Sequence, residues 1–486
     1  MDMSSIYDKY EAVIGLEIHA QLQTKSKAFA ADSTEFGVTP NTNVSPITLG
    51  HPGTLPRLNE KVVEYAVRLG SAVKANITYE NQFARKNYFY ADLPKGYQIT
   101  QDKTPICTGG YITIFPHTDN EKKINITRIH IEEDAGKSMH DQDPFNTLID
   151  LNRAGVPLVE IVSEPEIRSS EEAYAYIAEI RKLVRYIGIC DGNMEEGSLR
   201  VDANISVMPK GSKTFGTRAE VKNMNSLRNV QRAIDFEIKR QIELIESGGT
   251  VEQETRSFDA VKGITFSLRS KEMAHDYRYF PEPDLQPVFV EQDYIAKVKN
   301  SLPPLPNELY TKFTQELGLS DYDASIIIED KDIALFFNEL IELTNNFKAA
   351  ANWINGAVKS FLNENALHIT DFPLQPKHIA QIITLIEENK ISNSLANQKL
   401  FPTLIENPEK TAEELAQENN WLQESDDDAL LQYVEEAIAK YPEKVEEYKN
   451  GKKGLIGLFM GEVMKLSKGK ADPKLANKLV REKLEQ

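Results

Sequence analysis

The sequence predicts an α+β protein with a mixed or antiparallel sheet in its N-terminal part and only helices in its C-terminal part. Residues 1–295 read as short strands separated by Gly, Pro and Asn turns, with a few helices. The pattern after the segment NSLPPLPNELYTKF is almost entirely helical. Because 486 residues are too many for one core, we expect domains at 1–295, 296–404 and 405–486. The last begins near the break at NQKLFPTLIENPEKTAEEL.

Composition excludes several classes of protein. With 41% hydrophobic and 27% charged residues and no apolar run of bilayer length, the chain is not expected to be a membrane protein. The N-terminus lacks the pattern of a targeting peptide, so we expect a cytoplasmic location. Cys107 and Cys190 are too few for a disulfide framework or a four-cysteine zinc site, and we expect them to be inert core thiols.

Charge is distributed unevenly along the chain. The net charge of −18 would repel a polyanion, so contact with nucleic acid is expected only from local basic patches. Residues 411–448 carry 12 acids and 2 bases, whereas residues 449–486 carry 10 bases and 4 acids. The basic tail is therefore a candidate for such a patch.

The first predicted strand, VIGLEIHAQL, alternates cleanly between apolar and polar side chains. Its two faces carry, respectively, Ile14, Leu16, Ile18, Ala20 and Leu22, and Glu17, His19 and Gln21. Neighbours on one strand face are about 6.5 to 7 Å apart, so Glu17 and His19 could converge on one divalent ion or on adjacent ions. The alternative is an ordinary solvated strand face.

A second polar strand face is predicted in the segment TRIHIEEDAGKSMH. One parity holds Arg128, His130, Glu132 and Asp134, and the other holds Ile129 and Ile131. Such a cluster of oxygen ligands suits Mg²⁺, especially beside nucleotide phosphates. An ion-pair network without metal is the competing interpretation.

Glu160 lies in the apolar run PLVEIVS, which predicts a buried strand. A lone buried carboxylate is costly unless it is neutralised, paired or bound to a cation. We therefore predict a functional or metal-binding role for Glu160. Arg153, in the preceding NRAG turn, is the competing structural partner.

The strands SLRVDANISV and TRAEVKNMNS, joined by a turn-rich segment, predict a hairpin. Its apolar face would carry Leu199, Val201, Ala203, Ile205 and Val207. Its polar face would carry Arg200, Asp202, Asn204, Ser206, Arg218, Glu220 and Lys222. Either this is an ordinary wet face, or it lines an active-site trough with groups that bind phosphate.

The segment RKNYFYADLPKGYQITQ mixes cations, including Lys86, with tyrosines, and could grip phosphate or stack on a base, although core aromatics are the commoner explanation. The sequence contains no P-loop, no Rossmann glycine fingerprint and no zinc-protease or nucleophile-elbow motif. A self-contained protease, esterase or glutaminase is therefore not expected.

These segments resemble one family over essentially the whole chain, the GatB component of the aspartyl/glutamyl-tRNA amidotransferase. The matching segments occur in family order: GLEIHAQL, RKNYFYADLPKGYQITQ, HIEEDAGK, DLNRAGVPLVEIVSEP, EEGSLRVDANISV, EVKNMNS, RSKEMAHDYRYFPEPDL, ANWI and GEVMKLSKGKADPKLAN. The resemblance implies a cradle domain with a glutamine-synthetase-like catalytic trough, then a helical domain and a small tail like the YqeY proteins. It also implies that ATP phosphorylates the side-chain carboxylate of glutamate or aspartate mischarged on tRNA, and that ammonia then displaces the phosphate.

By the same resemblance, Glu17, His19, Glu132 and Glu160 would be catalytic and would bind Mg²⁺. Lys86 would also be catalytic and would lie near the mouth of an ammonia channel, close to Glu132. We further expect Arg200, Asp202, Asn204, Arg218, Glu220 and Lys222 to contact ATP or its phosphates. Lys465, Lys468 and Lys470 would grip tRNA through phosphate contacts.

The resemblance also implies partners and one departure from the family pattern. A glutaminase subunit (GatA) would supply ammonia, and a small strap subunit (GatC) would complete a heterotrimer. Many family members carry a four-cysteine zinc knuckle, but Ala30, Asp32, Ser45 and Thr48 stand at those positions here, so no structural zinc is expected. The competing functions are an inactive tRNA-binding adaptor and, more remotely, a stand-alone Mg²⁺-dependent hydrolase.

Overall fold

The computed structural model describes residues 6–140, 142–269, 277–422, 427–467, 471 and 473–485. Contacts divide the chain into two compact units, Met1–Asn307 and Glu308–Gln486. The first combines a mixed sheet with helices, and the described part of the second contains only helices, which confirms the α+β class. The further division near residue 404 stays a prediction. No described helix is both long and apolar enough to cross a membrane.

The strands of the first unit are β1 (Tyr10–Gln21), β2 (Asn76–Ile77), β3 (Glu80–Asn81), β4 (Ala84–Asn87), β5 (Tyr97–Thr100), β6 (Cys107–Thr108), β7 (Tyr111–Ile114), β8 (Lys122–Glu133), β9 (Lys137–Met139), β10 (Leu148–Asp150), β11 (Pro157–Ser163), β12 (Leu199–Pro209), β13 (Ala219–Lys222), β14 (Thr255–Asp259), β15 (Ile264–Arg269), β16 (Arg278–Pro281) and β17 (Val288–Phe289). Its helices are α1 (Glu60–Ala72), α2 (Ser170–Tyr186), α3 (Leu227–Glu246) and α4 (Gln292–Asn300).

One large sheet organises this unit. Its strand order is β15-β14-β13-β12-β1-β11-β8-β6-β2, and β7 also pairs with β8. All of its pairs are antiparallel except β13 with β14. The pairing of β12 with β13 confirms the predicted hairpin.

One face of the central strands is apolar and packs into the core. The residues with even numbers in β1 from Ile14 to Ala20 are fully buried, as are Val159, Ile161 and Ile129 on the neighbouring strands. This is the face that the alternating pattern predicts, and full burial of each valine, leucine or isoleucine side chain contributes roughly 1.5–3 kcal/mol. α1, α2 and α3 supply further apolar residues to the same cluster. Ser169 and Ser226 cap the N-termini of α2 and α3.

A small sheet with the strand order β16-β4-β5 stands beside the polar face of β8. It is held together by an ion pair between Arg85 of β4 and the buried Glu282, with Nε–Oε2 and Nη2–Oε1 distances of 2.7 and 2.9 Å. The Arg85 guanidinium also lies 4.2 Å from the ring centroid of Tyr97. Two parallel hydrogen bonds and a stacked ring fix the orientation of this sheet more tightly than a point charge would.

The second unit begins within helix α5 (Pro306–Thr311), which continues as a π-helical turn at Lys312–Glu316. Its other α-helices are α6 (Asp321–Ile327), α7 (Lys331–Leu340), α8 (Phe347–Trp353), α9 (Lys359–Asn365), α10 (Pro376–Glu387), α11 (Asn393–Leu395), α12 (Phe401–Glu406), α13 (Ala412–Glu418), α14 (Asp427–Lys440), α15 (Pro442–Lys449), α16 (Ile456–Leu466) and α17 (Pro473–Glu485). The helices from α14 onward share an apolar cluster that includes Leu430, Val434, Phe459 and Val480.

Candidate functional site

A row of acids and imidazoles crosses three adjacent strands on the polar face of the large sheet. His19 of β1 stands opposite Glu160 of β11, and Glu160 stands opposite His130 of β8. The Nε2 atom of His19 lies 3.1 Å from Glu160 Oε2, and the Nε2 atom of His130 lies 3.5 Å from the same oxygen. His130 Nε2 is also 2.9 Å from Oε1 of Glu132. The register therefore joins three segments that are far apart in sequence.

Two sets of side chains, in this row and on the adjacent strand β12, suit a divalent cation. Ligand atoms of His19, Glu132 and Glu160 lie within 4.8 Å of one another, and those of Glu17, His19 and Asp202 do the same. Each set offers one imidazole nitrogen and two carboxylate oxygens. Carboxylate oxygens are the ligands that Mg²⁺ and Mn²⁺ prefer, and the imidazole adds a nitrogen donor beside them. The donor chemistry thus fits a metal, and the sequence-predicted residues Glu17, His19, Glu132 and Glu160 are brought together.

The Glu132 carboxylate is fixed from the small sheet. Gln98 of β5 donates an amide hydrogen to Oε2 at 2.9 Å, and the Thr100 hydroxyl donates to Oε1 at 2.6 Å. Glu132 is only 3% exposed, so these donors replace the water that an isolated carboxylate would need. The segment that the sequence suggested as a phosphate-gripping loop is therefore, at β5, a support for Glu132.

The electrostatics of the cluster are dominated by burial and by crowding of like charge. Burial, followed by repulsion from Glu160, raises the pKa of Glu17 to about 7. Burial opposes charge on His130, but attraction by Glu160 and Glu132 outweighs it and raises the pKa of this imidazole to about 10. Burial likewise disfavours the charged form of Glu160, yet the two histidines hold its pKa well below the usual range. A cation bound here would relieve the repulsion at Glu17.

We call the polar face of β12, β1, β11 and β8 the trough. Asp134, just after β8, lies at the end of the trough next to Gln21. Its Oδ2 atom accepts hydrogen bonds from Gln21 Nε2 at 2.7 Å and from Arg200 Nη2 at 2.8 Å. Arg153 Nε lies 3.8 Å from the same carboxylate and donates to the carbonyl of Ala135 at 2.9 Å. Arg153, the competing partner considered for Glu160, therefore lies beside Asp134 instead, because the NRAG turn precedes the start of β11.

The predicted phosphate-binding residues on β12 and β13 already form ion pairs. Lys222 Nζ lies 2.6 Å from Asp202 and 2.9 Å from Glu220. Burial opposes its charge, but attraction to these two acids raises the pKa of Lys222 above its usual range. Asn204 stands opposite Glu220 on the same face, whereas Arg218 is exposed and precedes β13. Whether these groups bind a nucleotide stays a prediction.

Lys86 lies on β4, opposite Tyr279 of β16 and Gln98 of β5. Its Nζ atom is 5.0 Å from the ring centroid of Tyr277. Burial disfavours its ammonium, but attraction by Glu132 and, more weakly, by Glu160 raises the pKa of Lys86 above its usual range. Lys86 is therefore a cation at neutral pH. Aromatic rings lie beside its ammonium group, and the acid cluster stabilises its positive charge.

The loop after β1 contains a polar node at Asp32, Ser45 and Thr48, three of the four positions predicted above to correspond to zinc ligands. Ser45 Oγ donates to Asp32 Oδ2 at 2.9 Å, and the Thr48 hydroxyl also donates to this oxygen. Ala30 completes the set without a polar side chain. The Asp32 carboxylate therefore joins the two halves of this loop through hydrogen bonds.

Several site residues were missed from the sequence or lie outside the described structure. His130 shares the parity of Glu132 but was not selected, and Asp202 was assigned to phosphate rather than to metal. Gln98 and Thr100 gave no signal of their own. In the tail, Lys465 is exposed on α16, whereas Lys468 and Lys470 lie outside the described residues. Cys107 and Cys190 are buried free thiols, and burial raises the pKa of each.

Known proteins resemble the chain over nearly its full length. Residues 12–296 match the family described as the GatB/GatE catalytic domain, and residues 335–484 match the one described as the GatB domain. A relative from Caldicellulosiruptor saccharolyticus is 49% identical over 481 residues, covering 98% of this chain and 100% of the relative. One from Trichlorobacter lovleyi is 50% identical over 476 residues, covering 98% and 99%. Both relatives carry the name of the GatB component of aspartyl/glutamyl-tRNA(Asn/Gln) amidotransferase.

Proposed function

Because the chain belongs to the GatB family of tRNA-dependent amidotransferases, we propose that it uses ATP and Mg²⁺ to activate the side-chain carboxylate of glutamate on tRNA(Gln), aspartate on tRNA(Asn), or both. Ammonia from a glutaminase partner then converts the activated group to the amide. The observation that carries this proposal is the convergence of His19, Glu132 and Glu160 within 4.8 Å on a buried sheet face.

The proposed chemistry has two steps. An oxygen of the substrate carboxylate attacks the γ-phosphorus of ATP, the bond to the bridging oxygen breaks, and ADP leaves. The nitrogen of ammonia then attacks the carbonyl carbon of the acyl phosphate, inorganic phosphate leaves, and a proton is lost from nitrogen. Both steps gather negative charge on phosphate oxygens, so catalysis depends on positioning and on cations.

The residues of the acid row are assigned to the metal. Mg²⁺ held by Glu17, His19, Glu132 and Glu160 would neutralise charge on the phosphate oxygens. Asp202 belongs with them, because its carboxylate oxygen lies within 4.8 Å of ligand atoms of Glu17 and His19. Gln98 and Thr100 hold Glu132 in one orientation, so that little rearrangement accompanies catalysis.

The neighbouring cations are assigned to phosphate and to orientation. Lys86 remains charged at neutral pH, which suits attraction of phosphate oxygens near the ammonia entrance rather than proton abstraction. Lys222 would contact the nucleotide while it also orients Asp202. Asn204, Arg218 and Glu220 are proposed to complete the nucleotide contacts with Arg200, whose bond to Asp134 fixes its guanidinium.

The proposed assembly follows from the need for a separate source of ammonia. The sequence has no amidase motif of its own, so a GatA glutaminase and a GatC strap would complete a heterotrimer, and the complex would act in the cytoplasm. We further propose that the large sheet floors a glutamine-synthetase-like cradle and that Lys465, Lys468 and Lys470 contact tRNA phosphates. The Asp32 node with Ser45 and Thr48 would hold its loop without zinc.

The test is ADP release by the reconstituted complex, with and without Glu-tRNA(Gln), for the wild type and Glu132→Gln. The substitution keeps the shape of the side chain but removes a charge from the metal set, so we expect ADP release to require the charged tRNA and to fall at least 100-fold in the variant. Glu164→Gln, which removes a half-buried acid just after β11 and outside both metal sets, is the control. Release that ignores tRNA, or survives in Glu132→Gln, would favour the inactive-adaptor alternative. That alternative leaves the buried acids without a role.

A further inference from the structure

A cleft lined by arginines lies in the first unit, outside the acid row. Its volume is about 660 Å³, and its lining includes Arg181 and Arg185 from the end of α2, Arg228 from the first turn of α3, and Tyr174. Arg181 and Arg185 are four residues apart on a helix, which places them on one face about 6 Å apart along the axis. The Tyr174 side chain is 40% exposed beside them. The cleft therefore presents cations and an aromatic ring to solvent.

Within the described ranges, these three guanidinium groups form no ion pair with a carboxylate; every arginine ion pair found there involves other arginines. Asp191 and Glu195 also line the cleft, so the five charged side chains sum to +1. Arg181 Nε donates a hydrogen bond to the carbonyl of Gly192 at 2.8 Å. This bond orients the guanidinium group without neutralising its charge. In a chain with a net charge of −18, such a concentration of arginines outside ion pairs favours an anion-binding role.

The cleft adjoins one end of the trough. Asn225 lines the cleft and follows Lys222 by three residues, so their Cα atoms are at most about 11 Å apart. Asn193, on the other wall, accepts a hydrogen bond at its carbonyl from the backbone N–H of Leu199, the residue before Arg200. A strand of nucleic acid whose end enters the trough would pass this cleft.

We propose that the cleft binds the sugar-phosphate backbone of the tRNA strand that carries the aminoacyl end. This inference rests on the proposed function, because it takes tRNA as the substrate. Guanidinium forks match phosphate oxygens in pairs, and arginines spread over two helices match phosphates repeated along a strand better than one compact triphosphate. The Tyr174 ring adds a face for a sugar or a base. These contacts supply affinity and register without reading sequence.

The experiment uses the reconstituted complex and the double variant Arg185→Gln/Arg228→Gln. Both positions are exposed, so the substitutions leave the fold intact. The matched control is Lys213→Gln/Lys239→Gln, which removes the same charge from the turn at the far end of β12 and from a site about 16 Å further along α3. Two measurements are made: binding of uncharged tRNA as a function of salt, without ATP, and the KM for charged tRNA in ADP release.

The expected result is specific to the cleft. Affinity for tRNA falls about tenfold, the slope of log affinity against log salt decreases by roughly 1.4 to 1.8, and the KM for tRNA rises in proportion while kcat at saturating tRNA is retained. Equal losses in the control pair, or binding within twofold of the wild type, would overturn the proposal. A rise in the KM for ATP alone would also overturn it. Because the binding measurement needs no ATP, a complex that binds tRNA through the cleft yet releases no ADP would refute the proposed function and leave this inference standing.

Discussion

Glu17→Gln tests whether repulsion between carboxylates in the trough lowers the stability of the protein when no metal is bound. Burial and repulsion from Glu160 raise the pKa of Glu17 from 4.5 to about 7. A shift of this size corresponds to about 3 kcal/mol, which we reduce to about 2 kcal/mol because the side chain is partly solvated. Since the folded state binds the proton more tightly than the unfolded state, wild-type stability is lost as pH rises from about 4.5 to 7.

The assay is thermal unfolding of the full chain in EDTA between pH 5 and pH 8. For a unit of 307 residues, about 2 kcal/mol corresponds to a shift of about 3 °C. We expect Glu17→Gln to match the wild type near pH 5 and to unfold about 3 °C higher at pH 8. Mg²⁺ at pH 8 should stabilise the wild type more than the variant, because only the wild type has the repulsion to relieve. Parallel pH profiles for the two proteins would refute stored repulsion at this carboxylate.

Three further predictions concern the surroundings of the site. Arg85→Lys replaces two hydrogen bonds to the buried Glu282 with one, and we expect a loss of about 1–3 kcal/mol in unfolding free energy. ADP release should also slow, because Lys86 is the next residue along β4. Unchanged stability and rate would contradict the positioning role of the Arg85–Glu282 pair. Asp32→Ala should increase hydrogen exchange in the loop containing the zinc-ligand positions, whereas a zinc chelator should leave the wild-type loop unaffected, and sensitivity to the chelator would indicate a metal there. Lys27 is fully buried, and burial lowers its pKa to about 8. The unfolding free energy of the wild type should therefore rise by on the order of 1–2 kcal/mol between about pH 8 and pH 10.5. Lys27→Met should lack this rise in a denaturant titration, and an equal rise in both proteins would refute the assignment.

The alternation of polar and apolar residues within single strands predicted which side chains share a face in much of the site. Alternation placed Glu17 and His19 on one face of β1, and an isolated acid in an apolar run marked Glu160. Both are local patterns with a period of two. The apolar face and the β12–β13 hairpin followed from the same signal. Within a strand, the sequence therefore predicts which side chains share a face.

What the sequence could not predict is pairing between distant strands. The contact of Glu160 with His19 and His130 depends on the register of β11 against β1 and β8, which is fixed by tertiary packing rather than by local residues. For this reason the sequence left Arg153 open as a competing partner of Glu160, and it placed His130 on the polar face without linking it to Glu160. The support of Glu132 by Gln98 and Thr100 likewise requires the small sheet, whose position no periodicity reveals.

The pairing of β16 with β4 affects the order in which parts of the site form while the chain is synthesised from its N-terminus. Lys86 stands opposite Tyr279, so the frame around this lysine requires a strand synthesised nearly two hundred residues later. The acid row is complete once β12 has formed, whereas closing so long a loop is slow and follows the local pairings. The pairing with Tyr279 is therefore the last part of this site to form on a nascent chain, after Lys86, its partner strand β5 and the acids have all been made.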